Sequence, residues 1–390
     1  MTKNSKHIVF LLDNPFISDL RVEKEAISLL SLGHRVTVVC VEDEGLQDDE
    51  VVKGIRVLRM VPKCFNRPFS KGYSREVKNL AKRIEAMQCD VLHCHDCYML
   101  RMGIEVKRKN PSVTLVYDTH EYLRGWKFYQ DIPGRLSRFK GYIVWKYFLF
   151  HEKKACRHQV HRVITTTHAI SEKLVEKYSL PTKPLVLRNV TNLTNQEQNE
   201  SLRSILNIPD DHLIMVQSGN IYHRIDEALQ MFESTQRVEN LHYVIINNRP
   251  VAERIRSAMK NDKRNFDRIH IIDYNSKTLL SLLKSADFGL LFMRTKEWES
   301  HYLTSPNRIY EYSQANLPFL SVPQVSSKEL SDKFGHVVFF EQNDPISFLN
   351  GIKEMTTNLS KYRKNAQKSD FQWVDEFDSV GKFYDSLQIN

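Results

Sequence analysis

Residues 7–41 read HIVFLLDNPFISDLRVEKEAISLLSLGHRVTVVCV, a stretch in which two apolar runs enclose an amphipathic segment. The runs His7–Leu12 and Arg35–Val41 are rich in β-branched residues and predict strands, whereas Arg21–Leu32 has the spacing of a helix. Both runs are nearly continuous in apolar residues, which is typical of parallel strands covered on both faces. The stretch therefore predicts a strand–helix–strand unit of an α/β fold.

The same alternation continues along the chain. Further strands are predicted at Val113–Tyr117, Arg162–Thr165, Leu213–Gln217, His242–Ile246, Ile269–Ile272, Phe288–Phe292, Pro318–Val322 and Val337–Phe340. Prolines and a polar tract between residues 180 and 205 interrupt the pattern. We therefore predict two Rossmann-like, doubly wound parallel-sheet domains at 1–185 and 186–370, followed by a C-terminal helix within 371–390. Ligands of such domains bind at the carboxyl ends of the strands, in the cleft between them.

The composition is that of a soluble globular protein, with 41% hydrophobic and 26% charged residues. No apolar stretch approaches the roughly 20 residues that a membrane helix needs. The charged N-terminus leads directly into the first strand, without the apolar segment of a signal peptide. All six cysteines precede residue 160 and suggest no disulfide framework. We therefore expect a cytoplasmic protein.

The charge is distributed unevenly. Residues 1–190 carry 33 Lys+Arg against 21 Asp+Glu, whereas residues 191–390 carry 23 against 26. The excess of positive charge favours an anionic partner near the N-terminal half, such as a phosphate, a nucleic acid or an acidic membrane surface. Charge alone does not choose among these partners, and a solvated basic surface is the simpler alternative.

Several sequence signatures of other functional classes are missing. The chain contains no Gly-x-Gly-x-x-Gly fingerprint and no Walker A loop, which argues against a dehydrogenase or a P-loop ATPase. It also contains no Gly-x-Ser-x-Gly elbow and no His-Glu-x-x-His motif. An Asp-x-Asp pair is absent as well, which argues against a nucleotide-sugar site that grips phosphate through a divalent ion.

The segment Thr304-Ser-Pro-Asn-Arg-Ile-Tyr-Glu311 predicts the start of a helix, with Ser305 as N-cap and a proline at the first helical position. Its first turn carries Arg308 and no acid, which opposes the helix dipole unless an anion binds there. Asn307 and Glu311 share a face because they are four residues apart. A carboxylate one turn below a phosphate site can accept hydrogen bonds from two ribose hydroxyls. The alternative is a surface helix whose polar residues face water.

A second segment, Ser218-Gly-Asn-Ile-Tyr-His-Arg224, follows a predicted strand. Gly219 lets the backbone approach a ligand, and Asn220 lies beside it. Arg224 can supply a counter-charge for a diphosphate. Most glycines after strands only make turns, so the segment is weak evidence by itself.

Two histidine-containing segments end strands of the first domain. In Tyr117-Asp-Thr-His-Glu121, His120 lies between two carboxylates and can bond a sugar hydroxyl or act as an acid or base. A structural loop histidine is the alternative. In His93-Cys-His-Asp-Cys97, the Cys-x-x-Cys spacing suits zinc, but no second cysteine pair lies nearby. A buried strand-to-helix turn explains this segment better.

In this order, the segments resemble the glycosyltransferase family 4 proteins of the GT-B fold over almost the whole chain. The similar blocks are Ser18-Asp-Leu-Arg-Val-Glu-Lys-Glu-Ala26, Leu32-Gly-His-Arg-Val-Thr-Val38, Cys89-Asp-Val-Leu-His-Cys-His-Asp96, Tyr117-Asp-Thr-His-Glu121, Val163-Ile-Thr-Thr-Thr-His-Ala-Ile-Ser171, Ala286-Asp-Phe-Gly-Leu-Leu291, Ser305-Pro-Asn-Arg308 with Glu311 and Pro318, and Trp373 to Leu387. The resemblance implies two domains that face each other across a cleft and a final helix that returns to the first domain.

The resemblance also implies roles for single residues. His120 would lie beside the donor sugar and Glu311 would hold the ribose, and these two are the candidate catalytic residues. The candidate donor site comprises Gly219, Asn220, Arg224, Ser305, Asn307, Arg308 and Glu311. The candidate acceptor side comprises Asp19, Arg21, His95 and Glu121.

The implied activity is that of a retaining, metal-independent glycosyltransferase of the hexosyltransferase type, without a cofactor. A nucleotide sugar, with UDP-sugar favoured, would be the donor, and a polysaccharide, glycan or lipid-linked molecule of cell-envelope or surface glycan synthesis would be the acceptor. The basic N-terminal domain suits peripheral attachment to the anionic cytoplasmic face of a membrane, and no nucleic acid partner is expected.

Three departures from the family pattern leave alternatives open. Position 303, where the family's first glutamate would lie, is Leu303, and Glu297 and Glu299 are out of register. The motif's usual glycine before Pro318 is absent, and residues 13–20 contain no glycine. A non-catalytic scaffold or membrane-binding module is therefore one alternative, and a nucleotide-sugar 2-epimerase is the other.

Overall fold

The computed structural model describes residues 5–17, 19–191, 193, 201–219, 224–275, 277–369 and 371–387. The chain forms two compact units. Unit 1 comprises residues 1–188 and 374–390, and unit 2 comprises residues 189–373. The boundaries predicted after residues 185 and 370 lie three residues earlier than these. Each unit is built around its own sheet.

Unit 1 contributes eight strands among the residues that the structure describes. They are β1 (His7–Leu11), β2 (Arg35–Val41), β3 (Asp49–Val52), β4 (Ile55–Val61), β5 (Val91–His95), β6 (Thr114–Thr119), β7 (Arg162–Thr165) and β8 (Leu185–Val186). The helices between them are α1 (Leu20–Ser31), α2 (Tyr73–Glu85), α3 (Asp96–Lys109), α4 (Arg135–His158) and α5 (His168–Tyr178).

The strand order of unit 1 is β3-β4-β2-β1-β5-β6-β7-β8. The pairs are parallel except β3 with β4, an edge hairpin that the sequence analysis did not predict. It turns at Lys53 and Gly54, which have φ of 51° and 83°. Because β1 lies between β2 and β5, the direction of winding reverses there. A doubly wound sheet binds ligands in the crevice at the carboxyl ends of such strands.

Helix α4 is the longest helix, with 24 residues, and mixes apolar and basic side chains along its length. Its first half is largely exposed, whereas Trp145, Phe148 and Leu149 pack into the unit. None of the helices in the described part of the chain is both long and apolar enough to span a bilayer.

Unit 2 has an all-parallel sheet in the order β11-β10-β9-β12-β13-β14. Its strands are β9 (Leu213–Ser218), β10 (Leu241–Asn247), β11 (Ile269–Asp273), β12 (Phe288–Leu291), β13 (Phe319–Ser321) and β14 (Val337–Phe339). Its helices are α6 (Leu202–Leu206), α7 (Ile225–Gln236), α8 (Arg249–Asn261), α9 (Leu279–Lys284), α10 (Glu299–Leu303), α11 (Asn307–Gln314), α12 (Val325–Phe334), α13 (Pro345–Thr357) and α14 (Leu359–Ala366). The winding reverses between β9 and β12, which places the expected ligand crevice at their carboxyl ends.

Helix α11 packs on β12 where only a glycine fits. A Cβ atom at Gly289 would lie 2.7 Å from Cε2 of Tyr312. The Tyr312 hydroxyl donates to the carbonyl oxygens of Leu290, at 2.9 Å, and Val216, at 3.2 Å. These contacts fix α11 against the two central strands and so position the polar side chains of its first turns.

The last helix, α15 (Val374–Asp385), belongs to unit 1. The Lys6 ammonium donates to the carbonyl oxygens of Tyr384, at 2.5 Å, and Leu387, at 2.9 Å. Arg188 Nε lies 2.5 Å from Glu376 Oε1. The chain therefore returns to its first unit after completing the second.

Candidate functional site

Glu311 lies at the crevice of unit 2. Its side chain is 8% exposed, and the Ser218 hydroxyl, at the end of β9, donates to Glu311 Oε2 at 2.8 Å. Burial raises the pKa of Glu311, although Ser218 and Arg308 both oppose the shift. The crevice thus contains a carboxylate that accepts hydroxyl hydrogen bonds.

Arg308 lies close to Gly219, the residue that follows β9. A Cβ atom at Gly219 would lie 3.7 Å from Arg308 Nε, and Gly219 has a φ of 71°. The Asn247 side chain, at the end of β10, donates to the Gly219 carbonyl oxygen at 2.8 Å and so holds Gly219 in place. The arrangement brings a buried guanidinium to a backbone segment that a ligand can approach closely. Asn220, predicted to belong to this site, lies outside the described residues.

Two other candidate donor-site residues are exposed. Arg224 precedes α7, and its backbone N–H donates to Glu227 Oε2 at 2.9 Å. Asn307 is the first residue of α11. The side chains of Arg224 and Asn307 both face solvent, where an anionic ligand can reach them.

The predicted role of Ser305 as helix N-cap is wrong. The structure has Pro306 at the N-cap position and begins α11 at Asn307. The Ser305 hydroxyl is buried and instead forms a 2.7 Å hydrogen bond with the Tyr310 hydroxyl. Sequence favoured Ser305 because serine is a strong N-cap, but the tyrosine one turn further on competes for its hydroxyl.

Leu303 is buried at the end of α10, so the position of the family's first glutamate is filled by an apolar side chain. Glu297 does not replace it, since its Oε2 accepts from Gln342 Nε2 at 2.6 Å. Arg294, beyond the end of β12, is buried and stacks its guanidinium over Trp298 at 5.0 Å.

In unit 1, His120 lies between two carboxylates. Its Nδ1 is 3.2 Å from Asp96 Oδ2, and its Nε2 is 3.5 Å from Asp118 Oδ2. Its Nε2 also lies 3.3 Å from His95 Nδ1. Burial by itself lowers the pKa of His120, but Asp96 and Asp118 outweigh it and raise the pKa well above the usual value. His120 is therefore an imidazolium with both ring nitrogens engaged.

Asp118 is the centre of this cluster and is completely buried. Arg21 Nη2 contacts both of its carboxylate oxygens, at 3.1 and 2.9 Å, and Arg21 Nη1 donates to the Leu187 carbonyl oxygen. Burial alone raises the pKa of Asp118, yet the Arg21 guanidinium holds it well below its ordinary range. Asp118 therefore stays ionised and keeps one oxygen directed at His120.

Arg21 and His95, predicted to lie on the acceptor side, are both buried behind His120. His95 stacks on His93 with ring centroids 4.3 Å apart, and burial lowers the pKa of His95 well below the usual value. Neither side chain is exposed to a ligand. Asp19 caps α1, where its Oδ1 accepts from the Val22 backbone N–H at 3.2 Å.

Glu25, His93, His95 and Asp118 place possible metal-binding atoms within 4.8 Å of one another. Arg21 already supplies a positive charge to this group, with its Nε 3.4 Å from Glu25 Oε1. Burial raises the pKa of Glu25 to about 8, so this carboxyl is mostly neutral at pH 7. The charges are thus balanced by the protein's own side chains. Cys94 and Cys97 are not members of this group.

A cavity of about 170 Å³ opens beside His120. It lies near the carboxyl ends of β1, β5 and β6, the crevice expected from the strand order. Its lining residues are Asp13, Asp96, Cys97, Tyr98, Tyr117, Thr119, His120, Glu121, Leu123 and Trp126. Of the candidate acceptor residues, Glu121 is the one that lines it. Asp13, Tyr98 and Trp126 were not singled out from the sequence.

The comparisons with known proteins agree with this architecture. The model of Glycosyltransferase Family 4 matches residues 22–194. Sucrose-phosphate synthase from Thermosynechococcus elongatus superposes with a TM-score of 0.72 at 14% identity, over 97% of this chain and 98% of that one. HepE from Anabaena, in complex with UDP-glucose, superposes with a TM-score of 0.70 at 12% identity, over 98% of this chain and 100% of that one.

WaaG, a glycosyltransferase involved in lipopolysaccharide biosynthesis, gives a TM-score of 0.68 at 14% identity, over 97% and 98% of the two chains. Comparison with curated protein sequences gives no match. At these identities the structural likeness establishes the fold. The resemblance inferred from the sequence is confirmed: the Glycosyltransferase Family 4 model matches residues 22–194, and the chain has the GT-B fold of solved glycosyltransferases.

Proposed function

We propose that the protein is a glycosyltransferase that moves a sugar from a UDP-sugar to a glycan or lipid-linked acceptor. The observation that carries the proposal is the buried Glu311–Ser218 pair, beside Arg308 and Gly219 at the crevice of unit 2. A carboxylate for hydroxyls and a guanidinium for phosphates, held in one crevice, are the groups that a nucleoside diphosphate sugar requires. The structural neighbour HepE was solved with UDP-glucose, which supports UDP as the nucleotide part of the donor.

Each donor-site residue then has a role. Glu311 accepts hydrogen bonds from the ribose hydroxyls, and the Ser218 hydroxyl keeps the Glu311 carboxylate oriented. Arg308 and Arg224 place positive charge where the leaving diphosphate gains negative charge, which stabilises the transition state more than the ground state. Gly219 lets the backbone approach the diphosphate without a side chain in the way.

We propose that the transfer retains the anomeric configuration and needs no metal. Both ring nitrogens of His120 are engaged, so neither is available to take the acceptor's proton. This favours a front-face reaction in which the sugar–diphosphate bond breaks, the acceptor oxygen attacks from the same face, and the leaving diphosphate takes the proton. Arg308 and Arg224 supply the charge that a divalent ion would otherwise supply.

A thermal-shift panel tests donor binding. UDP, GDP, dTDP, ADP and CMP, each with a corresponding sugar nucleotide, are added to the full chain in EDTA. We expect stabilisation by UDP and UDP-sugars alone. Stabilisation that disappears in EDTA would contradict metal independence, and no stabilisation by any nucleotide would contradict the donor site. Conversion of the sugar nucleotide without an acceptor would identify an epimerase instead.

The proposal also covers the acceptor and the biosynthetic process that the enzyme serves. WaaG, which has the same fold, is involved in lipopolysaccharide biosynthesis, and this supports a role in cell-envelope or surface glycan synthesis. The anomeric proton couplings of a product formed with a lipid-linked acceptor report the stereochemistry. A product with inverted configuration would overturn the retaining mechanism.

Helix α4 supports a second function, peripheral binding to the anionic cytoplasmic face of a membrane. Leu136, Phe139 and Phe150 are 69%, 59% and 63% exposed. Basic residues, including Arg138 and Lys140, are exposed on the same helix. Exposed apolar side chains among cations are typical of interfacial helices.

Vesicle co-sedimentation tests this binding. The full chain should sediment with vesicles that contain phosphatidylglycerol and much less with neutral ones. Leu136→Ser with Phe139→Ser should reduce sedimentation. Val51→Ser, at a 70% exposed position of β3, serves as the control. Equal sedimentation with both vesicle types would contradict an electrostatic contribution.

A further inference from the structure

Tyr274 presents an aromatic ring at the edge of the unit 2 sheet where Glu311 lies. It directly follows β11, and its side chain is 40% exposed. Among the described residues of unit 2, the large apolar or aromatic side chains that are exposed are Ile205, Tyr274 and Ile346, and only the tyrosine has a ring. A single exposed tyrosine needs no explanation by itself, so its position decides whether it has a function.

Asn247 ties the backbone of Tyr274 to the candidate donor site. The Tyr274 N–H donates to the Asn247 carbonyl oxygen at 2.8 Å, and the Asn247 side chain donates to the Gly219 carbonyl oxygen at 2.8 Å. Asn247 is buried, so water does not compete for these hydrogen bonds. The Tyr274 backbone is therefore fixed relative to Gly219, which lies close to Arg308.

The strand register gives the distance between Tyr274 and the donor site. Asp273 pairs with Asn247, and Ile246 pairs with Ser218, so β9, β10 and β11 end at nearly the same level. Neighbouring strands lie about 4.8 Å apart, which places the Tyr274 backbone about 10 Å across the sheet edge from Ser218. The ribose and base of one nucleoside, together with the length of the tyrosine side chain, can cover this distance.

The covalent structure of a nucleotide decides which of its parts would lie beside Tyr274. The diphosphate and the base extend from opposite sides of the ribose, so a diphosphate near Arg308 and Gly219 directs the base away from them. Helix α11 packs on β12, which leaves the side toward β10 and β11 open for the base. The Glu311 carboxylate, after the larger effect of burial, also raises the pKa of Tyr274, which agrees with a short distance between the two side chains.

We propose that the Tyr274 ring stacks on the base of the nucleotide sugar while Glu311 holds the ribose. The inference rests on the proposed function and adds to it the residue that binds the base. Every base has an aromatic face, so a stacked ring strengthens binding without choosing among bases. The preference for UDP therefore has to come from groups that contact the edge of the base, whereas Tyr274 supplies affinity.

Calorimetric titration of UDP into the full chain, in EDTA, measures the contribution of the ring. Tyr274→Ala should weaken UDP binding about fivefold to about 150-fold, the range expected when one aromatic stacking partner is removed. Tyr274→Phe keeps the ring and should recover most of this affinity. Ile346→Ala, at a 71% exposed position of α13, is the control and should bind UDP as wild type does. Wild-type affinity in Tyr274→Ala, or equal losses in the alanine and phenylalanine variants, would overturn the inference.

Tyr274→Trp gives a signal that a purely structural tyrosine would not give. Because an indole stacked on a base loses fluorescence, UDP should quench the emission of this variant more than that of wild type, whose four tryptophans supply the background. Ribose 5-phosphate has the ribose and a phosphate but no base, and it should add no quenching at position 274. Equal quenching of the two proteins by UDP would contradict stacking.

The wild-type titration separates this inference from the proposed function. UDP binding that is the same in wild type and Tyr274→Ala would refute the role of Tyr274 and leave the donor site standing. No UDP binding by wild type would refute the proposed function and this inference together. The melting temperature without UDP shows whether each variant folds, and if Tyr274→Ala does not fold, the quenching of Tyr274→Trp still decides.

Discussion

Replacing Glu311 with glutamine tests the donor site without changing the shape of the side chain. The amide oxygen can still accept from Ser218, which now lies 2.8 Å from Glu311 Oε2, so the fold should be kept. The variant loses the negative charge that strengthens hydrogen bonds from ribose hydroxyls. Hydrogen bonds to charged groups contribute about 1.5–3 kcal/mol, so the affinity for UDP should fall about tenfold to about 150-fold.

The expected thermal shift follows from this loss. At a UDP concentration about 100 times the wild-type dissociation constant, binding stabilises the protein by about 2.7 kcal/mol. A variant that binds about 100-fold more weakly keeps only about 0.4 kcal/mol at the same concentration. At about 2–4 °C per kcal/mol for a domain of this size, a shift of about 5–11 °C should fall to about 1–2 °C.

The assay is differential scanning fluorimetry with and without UDP in EDTA, supported by calorimetric titration. Glu329→Gln, an exposed carboxylate on α12, is the matched control and should bind UDP as wild type does. A Glu311→Gln protein that keeps the full UDP-induced shift would refute the role given to this carboxylate. A large fall in melting temperature without UDP would instead show that Glu311 is needed for the fold.

Three further predictions concern the stability of the two units. Arg21→Met removes the guanidinium that contacts both oxygens of the buried Asp118 carboxylate and leaves histidines as its described partners, so it should cost up to about 3–5 kcal/mol in urea unfolding; a loss below about 1 kcal/mol would contradict the importance of this buried pair. Burial, and after it the neighbouring His270, lowers the pKa of His242 to about 4, below the unfolded value near 6.5. The unfolded chain therefore binds a proton first, and stability falls as the pH drops below 6.5. Because solvent screens part of this effect, the loss from pH 7 to pH 5 should be about 1 kcal/mol smaller in His242→Gln than in wild type, and parallel pH profiles of the two proteins would disprove this. Gly289→Ala should cost about 1–3 kcal/mol because its Cβ would lie 2.7 Å from the ring of Tyr312, and an unchanged melting temperature would show that the ring can move.

Much of the fold could be predicted from local patterns. The continuous apolar runs Arg35–Val41 and Arg162–Thr165 are strands with those bounds in the structure. The hairpin of β3 and β4 was missed because Asp49–Val52 is a short edge strand with exposed and half-buried residues and carries little apolar signal. Edge strands need not be apolar, so composition identifies them poorly.

The candidate site was predictable only in part. Spacing alone placed Asn307 and Glu311 on one helix, but no sequence pattern indicated that the Ser218 hydroxyl, 93 residues away, would meet that carboxylate. Spacing also suggested Ser305 as the N-cap, which the contact with Tyr310 overrules. Sequence patterns describe the hydrogen bonds within one turn of a helix. The contacts of Glu311 and Ser305 depend instead on the helices and strands that pack around that turn.

The sequence by itself determined the alternation of strands and helices, the two-domain division and the presence of Glu311, Arg308 and His120 in segments that follow strands or begin helices. Only the tertiary structure decided that Arg21 pairs with Asp118, 97 residues away, and that Asp118 in turn holds His120. The reason is that hydrophobic periodicity extends over one element at a time, whereas strand order decides which distant elements become neighbours. Burial then makes an unpaired charge costly, so the charges of Arg21 and Asp118 are stable only because the sheet brings them together.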